Sequence, residues 1–242
     1  MTKTPVVFVT APPASGKTFV ADRLAARLSL PLLAKDGIKE TLFDVLGAGD
    51  VAWSRSLGRA TFALLYEALE RQLRAGRPVI VEANLNCVYA PTRLAALRGR
   101  YGFEPFEVHC TASPEALLDR YAARATSRHP GHADVERLTD VAAAISEGRH
   151  PALDLGGPTV VLDTTDFGAV DVDSVLHAAA AHVRSAGELL QALDPGGDEL
   201  DAVAPGVTDV KPPLTGDLGL VSPHDIDTRV AERGSECLER RG

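Results

Sequence analysis

The sequence predicts an α/β fold, a five-stranded parallel sheet flanked by helices and followed by a flexible C-terminal tail, and three observations carry that expectation. Short runs rich in Val, Ile, Leu and Phe recur five times. Segments with apolar residues at helical spacing separate them. The first run passes through a Gly-Lys-Thr turn directly into such a helix. Strands that are apolar throughout suit a sheet covered on both faces, and each parallel pair needs a crossover connection.

Val6-Val7-Phe8-Val9 is the first strand. The helix after it runs from about Gly16 to Leu28, with Phe19, Val20, Leu24 and Leu28 in step. Pro31-Leu32-Leu33-Ala34 is a second short strand ending at Lys35 and Asp36. Helical patterns then fill about Ile38 to Leu46 and Val51 to Ala75, the latter stopped by Gly76. Pro78-Val79-Ile80-Val81 is the third strand, and a helix over about Ala90 to Tyr101 leads to the fourth, between Phe103 and Cys110. Ser113 caps the next helix, with Pro114 in its first turn and Glu115 near its positive end. A polar stretch containing His129-Pro130-Gly131-His132 reads as a lid loop rather than a metal site, because these residues and His150 lack fixed ligand spacing. A helix near Leu138 to Ile145, a fifth strand at Val160-Val161-Leu162 and a closing helix over Val172 to Val183 complete the domain, expected to span residues 1–186.

The chain has 242 residues, 45% hydrophobic and 5% aromatic, which suits one main domain with an appendage. Its formal charge of −8 is uneven. Residues 187–242 hold 12 acidic and 5 basic side chains, against 21 and 20 before them. Together with several Pro and Gly clusters this marks 187–242 as an acidic, flexible tail, with a short helix near Thr228 to Leu238. The near-neutral domain argues against broad nucleic-acid binding. Cys87, Cys110 and Cys237 are too scattered for a disulfide framework or a zinc site. No stretch approaches the roughly 20 apolar residues of a membrane span, so a cytoplasmic protein with no membrane partner is expected.

Parallel α/β sheets carry their sites at the carboxyl ends of the strands. At the first of these ends stands Ala11-Pro12-Pro13-Ala14-Ser15-Gly16-Lys17-Thr18, a P-loop pattern in which Ala11 replaces the first glycine. Pro13, Ala14, Ser15, Gly16, Lys17 and Thr18 are the expected phosphate cradle. Gly16 allows close backbone approach, Lys17 reaches the β- and γ-phosphates, and the Thr18 hydroxyl is the expected magnesium ligand. The helix start adds its positive end to the same anion site.

Other strand ends supply the acceptor side. Asp36 can take a proton from an attacking hydroxyl or cap the helix that follows. Lys39, one turn on, is placed to hold the acceptor. Glu82 would be nearly buried at the end of the third strand, facing substrate or metal-bound water. Asn84 and Asn86 either bind substrate or satisfy turn backbone. Arg120, Arg124 and Arg128 recur every four residues and so share one helix face. They either embrace the transferring phosphate from a mobile lid or form a solvated face paired with Glu115 and Asp119. Trp53, Arg55 and Arg59 lie where a substrate-covering helix should be, and His109 with Cys110 reads as core or edge.

The series Gly16-Lys17-Thr18, Lys35-Asp36-Gly37-Ile38-Lys39, Val79 to Asn86, then Arg120 and Arg124 resembles small P-loop kinases of the zeta-toxin, chloramphenicol phosphotransferase and polynucleotide kinase type, among the AAA_33-like ATP-binding proteins. The resemblance covers about residues 5–186 and implies a P-loop NTPase fold of the nucleotide-kinase kind. It implies Asp36 as base, Lys39 at the acceptor and Arg120 and Arg124 on the phosphates. Glu82 stands where polynucleotide kinase has an aspartate, and Lys39 replaces the usual arginine.

The reading that follows is an ATP- and Mg²⁺-dependent kinase acting on a hydroxyl of a small molecule. A nucleic-acid 5′-hydroxyl kinase and a nucleotide-gated regulatory ATPase are the alternatives. The regulatory ATPase would want an acidic pair after an apolar strand, where Val81-Glu82-Ala83 offers one acid.

Overall fold

Strand β1 (Pro5–Thr10) is buried along its whole length and alternates its side chains between two cores. Val6 and Phe8 enter one, and Val7 and Val9 the other. This alternation is the two-residue period of a strand expressed in packing. The computed structural model describes residues 3–85 and 90–193, and among them the chain order continues α1 (Lys17–Leu28), β2 (Leu32–Ala34), α2 (Lys35–Leu46), α3 (Val51–Arg74), β3 (Val79–Ala83), α4 (Ala90–Tyr101), β4 (Glu104–Thr111), α5 (Pro114–Arg124), α6 (Leu138–Ser146), β5 (Thr159–Asp163) and α7 (Val172–Leu193). A 3-10 turn at Pro130–His132 lies between α5 and α6.

The five strands form one sheet in the order β2-β3-β1-β4-β5, with every pairing parallel. The expected fold class is therefore the observed one. On one face Leu65, Leu69 and Leu73 of α3 and Leu94 and Leu97 of α4 pack on β1 and β3. On the other, Val20, Ala21 and Leu24 of α1 and Val175 and Ala179 of α7 pack on β1, β3 and β4. A third, smaller cluster joins Ala14 of the loop after β1 to Leu117 and Tyr121 of α5 and to Val141 and Ile145 of α6. It seats the α5–α6 hairpin over that loop.

Two boundaries differ from expectation. Helix α2 starts at Lys35, three residues early, with Ala34 at its N-cap and no side-chain cap bond. Asp36 is thus inside the first turn and is not the cap. Helix α7 runs on to Leu193 rather than ending near Val183. Its extension is rich in Ala, Leu, Glu and Gln, and the cost of one Gly187, about 1 kcal/mol, does not stop it. The chain divides into two units, residues 1–190 and 191–242. The tail expected over 187–242, with its short helix near Thr228 to Leu238, lies outside the described residues beyond Leu193.

Candidate active site

The loop after β1 turns back through two left-handed residues, Ala14 (φ 64°) and Gly16 (φ 80°), and launches α1 at Lys17. Ala11 has no positive φ, so the missing first glycine brings no backbone strain. Gly16 is needed for a second reason, since a Cβ there would overlap the ring of Phe167. Thr164, fully buried after β5, donates to the carbonyl of Ser15 at 2.8 Å and to that of Thr111 at 2.9 Å. The last strand thereby braces the phosphate loop.

Lys17 is 6% exposed and its Nζ lies 3.7 Å from Glu82 Oε1. Glu82, 1% exposed at the end of β3, has no hydrogen-bond partner on either oxygen. Burial pushes the Glu82 carboxyl up and the Lys17 ammonium down, each towards its neutral form. Such a pair, charged but lacking hydrogen bonds, is costly as a purely structural device. It is economical beside a ligand that supplies the missing partners. Ser15 Oγ, Asn84 Oδ1 and Arg124 Nε are buried without partners around the same loop and strand ends.

A small polar cavity of about 50 Å³ gathers most of these groups. Pro13, Lys17, Lys35, Asp36, Asn84, Arg124 and Arg128 line it, with Tyr121, His132, Asp134 and Arg137 from the lid side. Asp36 accepts from Lys35 Nζ at 2.8 Å and from Arg128 Nη2. Burial alone would raise its pKa, but Lys35 and Arg128 hold the carboxyl well below the usual carboxylate range. Arg128 also reaches Asp134 Oδ2 at 3.1 Å, while Tyr121 donates to Asp134 Oδ1 at 2.9 Å.

The three lid arginines part company. Arg124 faces the cavity with Nε unpartnered. Arg128 lines the cavity too and is bound to Asp36. Arg120 does not line this cavity. It donates through Nη2 to the carbonyls of Thr164 and Thr165, each at 2.7 Å, and lies 4.3 Å over the Phe167 ring. The i+4 spacing puts the three on one stretch of chain, but α5 ends at Arg124, so Arg128 leaves the common face. Among the described residues none of them pairs with Glu115 or Asp119, so the solvated-face reading does not hold.

Lys39 also differs from expectation. It is 3% exposed, points between α2 and α3, donates to Ser54 Oγ at 2.9 Å and sits 5.1 Å over the Phe43 ring. It therefore backs the site and does not line the cavity. Burial, with Lys35 and Arg137 nearby, lowers its pKa to about 8. Thr18 is exposed at the start of α1 and open to solvent-side ligands. Asn86 lies outside the described residues. Arg55 meets Asp140 at 3.5 Å on the surface, Arg59 contacts Ser56, and the Trp53 indole donates to the Gly47 carbonyl, so none of these three joins the site.

Sequence reasoning missed Asp134 and Arg137, which carry no motif and reach the cavity only because the lid folds back. Leu117 and Ile145 of the lid also border a larger cavity of about 150 Å³, lined further by Pro12, Thr111, Arg149 and His150. Burial lowers the His150 pKa to about 4. Below it, Glu107 accepts from the Leu153 amide at 2.9 and 3.0 Å and from Thr10 Oγ1 at 2.6 Å, and Thr10 touches His109 Nδ1 at 3.0 Å.

Magnesium and a nucleotide fit the residues present. Glu82 offers two unpartnered oxygens, Thr18 a hydroxyl, and Lys17 and Arg124 charged donors. Among the described residues no group of three or more His, Cys, Asp or Glu could form a metal cage.

The parallel sheet, the Gly-Lys-Thr loop after its central strand and the arginine-bearing lid define a kinase-like P-loop protein. The AAA_33 family model, described as an AAA domain, matches residues 6–147, and the chain belongs to that family. A candidate kinase from Chloroflexus aurantiacus J-10-fl is similar at 35% identity and TM-score 0.67, covering 75% of this chain and 99% of its own. A sugar kinase from Janibacter sp. HTCC2649 shows 18% identity and TM-score 0.49 over 77% of this chain and 98% of its own. A gluconokinase from Sinorhizobium meliloti 1021 shows 14% and 0.44 over 80% and 99%. No curated protein matches. The P-loop kinase group that the motifs resemble is thus the right one, and it supports a phosphotransferase. Among the described residues no helix is long and apolar enough to cross a membrane.

Proposed function

We propose that this protein is a cytoplasmic kinase that transfers the γ-phosphoryl group of ATP to a hydroxyl of a small molecule. The observation that carries the proposal is the convergence of Lys17, Asp36 and Arg124 on one cavity, beside a buried Glu82 that lacks hydrogen-bond partners. A binding module needs the phosphate donors, but it has no use for a carboxylate facing them from the acceptor side. The near-neutral charge of residues 1–186, 21 acidic against 20 basic side chains, favours a small acceptor over an oligonucleotide.

In this mechanism the loop amides, Lys17 and Arg124 hold the phosphates of ATP, and Asn84 orients the acceptor. Thr18 and Glu82 are the residues that would hold a magnesium ion. That ion would supply positive charge to the phosphates. Asp36 takes the acceptor's hydroxyl proton as that oxygen bonds to the γ-phosphorus and the bond to the β-bridging oxygen breaks, leaving ADP. Catalysis of this kind is mostly positioning and charge.

The test is incubation with γ-labelled ATP and a panel of sugars, sugar acids, polyols and aminoglycosides, together with a short 5′-hydroxyl oligonucleotide. Label should appear on a small molecule, and Asp36→Asn should abolish it without loss of ATP binding. Label on the oligonucleotide alone would replace the acceptor class. Full transfer by Asp36→Asn would remove the base.

A further inference from the structure

The lid loop between α5 and α6 docks on α2 along a ladder of three acids, Asp36, Glu40 and Asp44, spaced one helical turn apart. Arg128 takes Asp36, His132 Nε2 meets Glu40 Oε1 at 2.8 Å, and His129 Nε2 meets Asp44 Oδ1 at 3.2 Å. Phe43 fixes the register from the same helix. His129 stacks on it at 5.2 Å and 10°, His132 meets it edge-on at 5.5 Å, and Gly131 lies so close that any side chain there would overlap the ring. The lid is therefore held against the acceptor side of α2 by both charge and ring packing.

Asp36, ion-paired to Arg128 and Lys35, is a poor base, because taking a proton would break two charge-assisted bonds. One turn before Arg128, Arg124 presents an unpartnered buried Nε to the same cavity. Asp134, with its side chain 4% exposed and held by Tyr121, grips the other side of the Arg128 guanidinium. Arg128 thus has a fixed pivot, a resting partner and a second anion site within reach.

We propose that Arg128 is a hand-off residue. It pairs with Asp36, and when a γ-phosphate arrives it turns about Asp134 to the phosphate and leaves Asp36 with Lys35 as its one remaining cation. The base then sheds one of its two cations only when there is a phosphoryl group to transfer, so Arg128 positions Asp36 and guards it. The proposal rests on Asp36 being the base, but its central claim is a coupling between Asp36 and Arg128 that binding alone can read.

The experiment is a double-mutant cycle on nucleotide affinity, comparing a non-hydrolysable ATP analogue with ADP. Because Arg128 must leave Asp36 to meet the γ-phosphate, Asp36→Asn should tighten analogue binding about fivefold or more, the usual scale of a coupling between sites. ADP binding should change less than about twofold on that scale. In an Arg128→Gln background the same Asp36→Asn change should have no effect on the analogue, while Arg128→Lys should restore part of it. Equal tightening of analogue and ADP, or an Asp36→Asn effect that persists without Arg128, would show that Asp36 acts only through its field and would overturn the hand-off. An acceptor screen that fails while the coupling is present would remove the transfer reading alone. A missing coupling with transfer intact would remove the hand-off alone.

Discussion

Replacing Lys39 with Met should change how the stability of this protein depends on pH, by an amount the structure sets. Lys39 is an ammonium group 3% exposed, held by one hydroxyl, Ser54 Oγ, and by the face of Phe43. Its pKa falls from an ordinary 10.5 to about 8, because burial and nearby cations disfavour the charged form. The unfolded chain keeps this proton up to about pH 10.5 and the folded chain only to about pH 8. Below pH 8 both states are charged and the fold bears the full cost. Between about 8 and 10.5 the folded state alone sheds the proton, so stability rises with pH. The displacement corresponds to about 3 kcal/mol. Other groups titrate in this range, and the Cys110 thiol, pushed up to about 12 by burial, lowers stability above pH 9. The difference between the two proteins isolates Lys39. Urea unfolding of both at intervals from pH 7 to 10.5 should show Lys39→Met gaining most over the parent at pH 7 and losing about 3 kcal/mol of that advantage by pH 10.5. The orphaned Ser54 hydroxyl lowers the variant equally at every pH and leaves this slope intact. Parallel curves would refute the account and make Lys39 an ordinary solvated lysine.

Lys17→Ala should abolish thermal stabilisation by the ATP analogue, since it removes the phosphate donor and leaves Glu82 buried alone; undiminished stabilisation would move the nucleotide elsewhere. Glu107→Ala should cost about 2–4 kcal/mol in urea unfolding, because the Leu153 amide and Thr10 hydroxyl lose their acceptor and a cavity opens. Glu107→Gln should lose much less, and equal losses would show that packing, not the acceptor, matters. Gly131→Ala should loosen the lid by about 1–3 kcal/mol through overlap with Phe43. Limited proteolysis between residues 125 and 137 should then speed up while global unfolding by urea stays close to the parent's, and an unchanged cleavage rate would contradict the docked lid.

The phosphate loop, the strands and most helix limits were legible because each is a local affair. Gly16-Lys17-Thr18 after a buried strand states its own chemistry, and apolar periodicity states the rest. Glu82 was legible for a related reason, since a carboxylate closing an apolar strand must find a use or a partner. The lid was legible only as a loop with arginines. Helical spacing carries information along a helix, but α5 stops at Arg124, and beyond it the four-residue interval to Arg128 says nothing about direction. Lys39 misled for the converse reason. Its place one turn after Asp36 is correct, yet α3 covers that side of α2 and closes it from the cavity.

By itself the sequence determined that this chain forms a parallel α/β sheet with a phosphate loop at its first strand end, because backbone period, turn chemistry and anion binding at a helix start are all short-range. Tertiary structure alone decided the strand order, the seat of Ala14 under the lid and the partners of Asp36. Those depend on contacts between residues some ninety positions apart, such as Arg128 with Asp36 and His132 with Glu40. No local pattern encodes which acid a lid arginine will meet. That choice follows from where Phe43 and Gly131 let the loop come to rest.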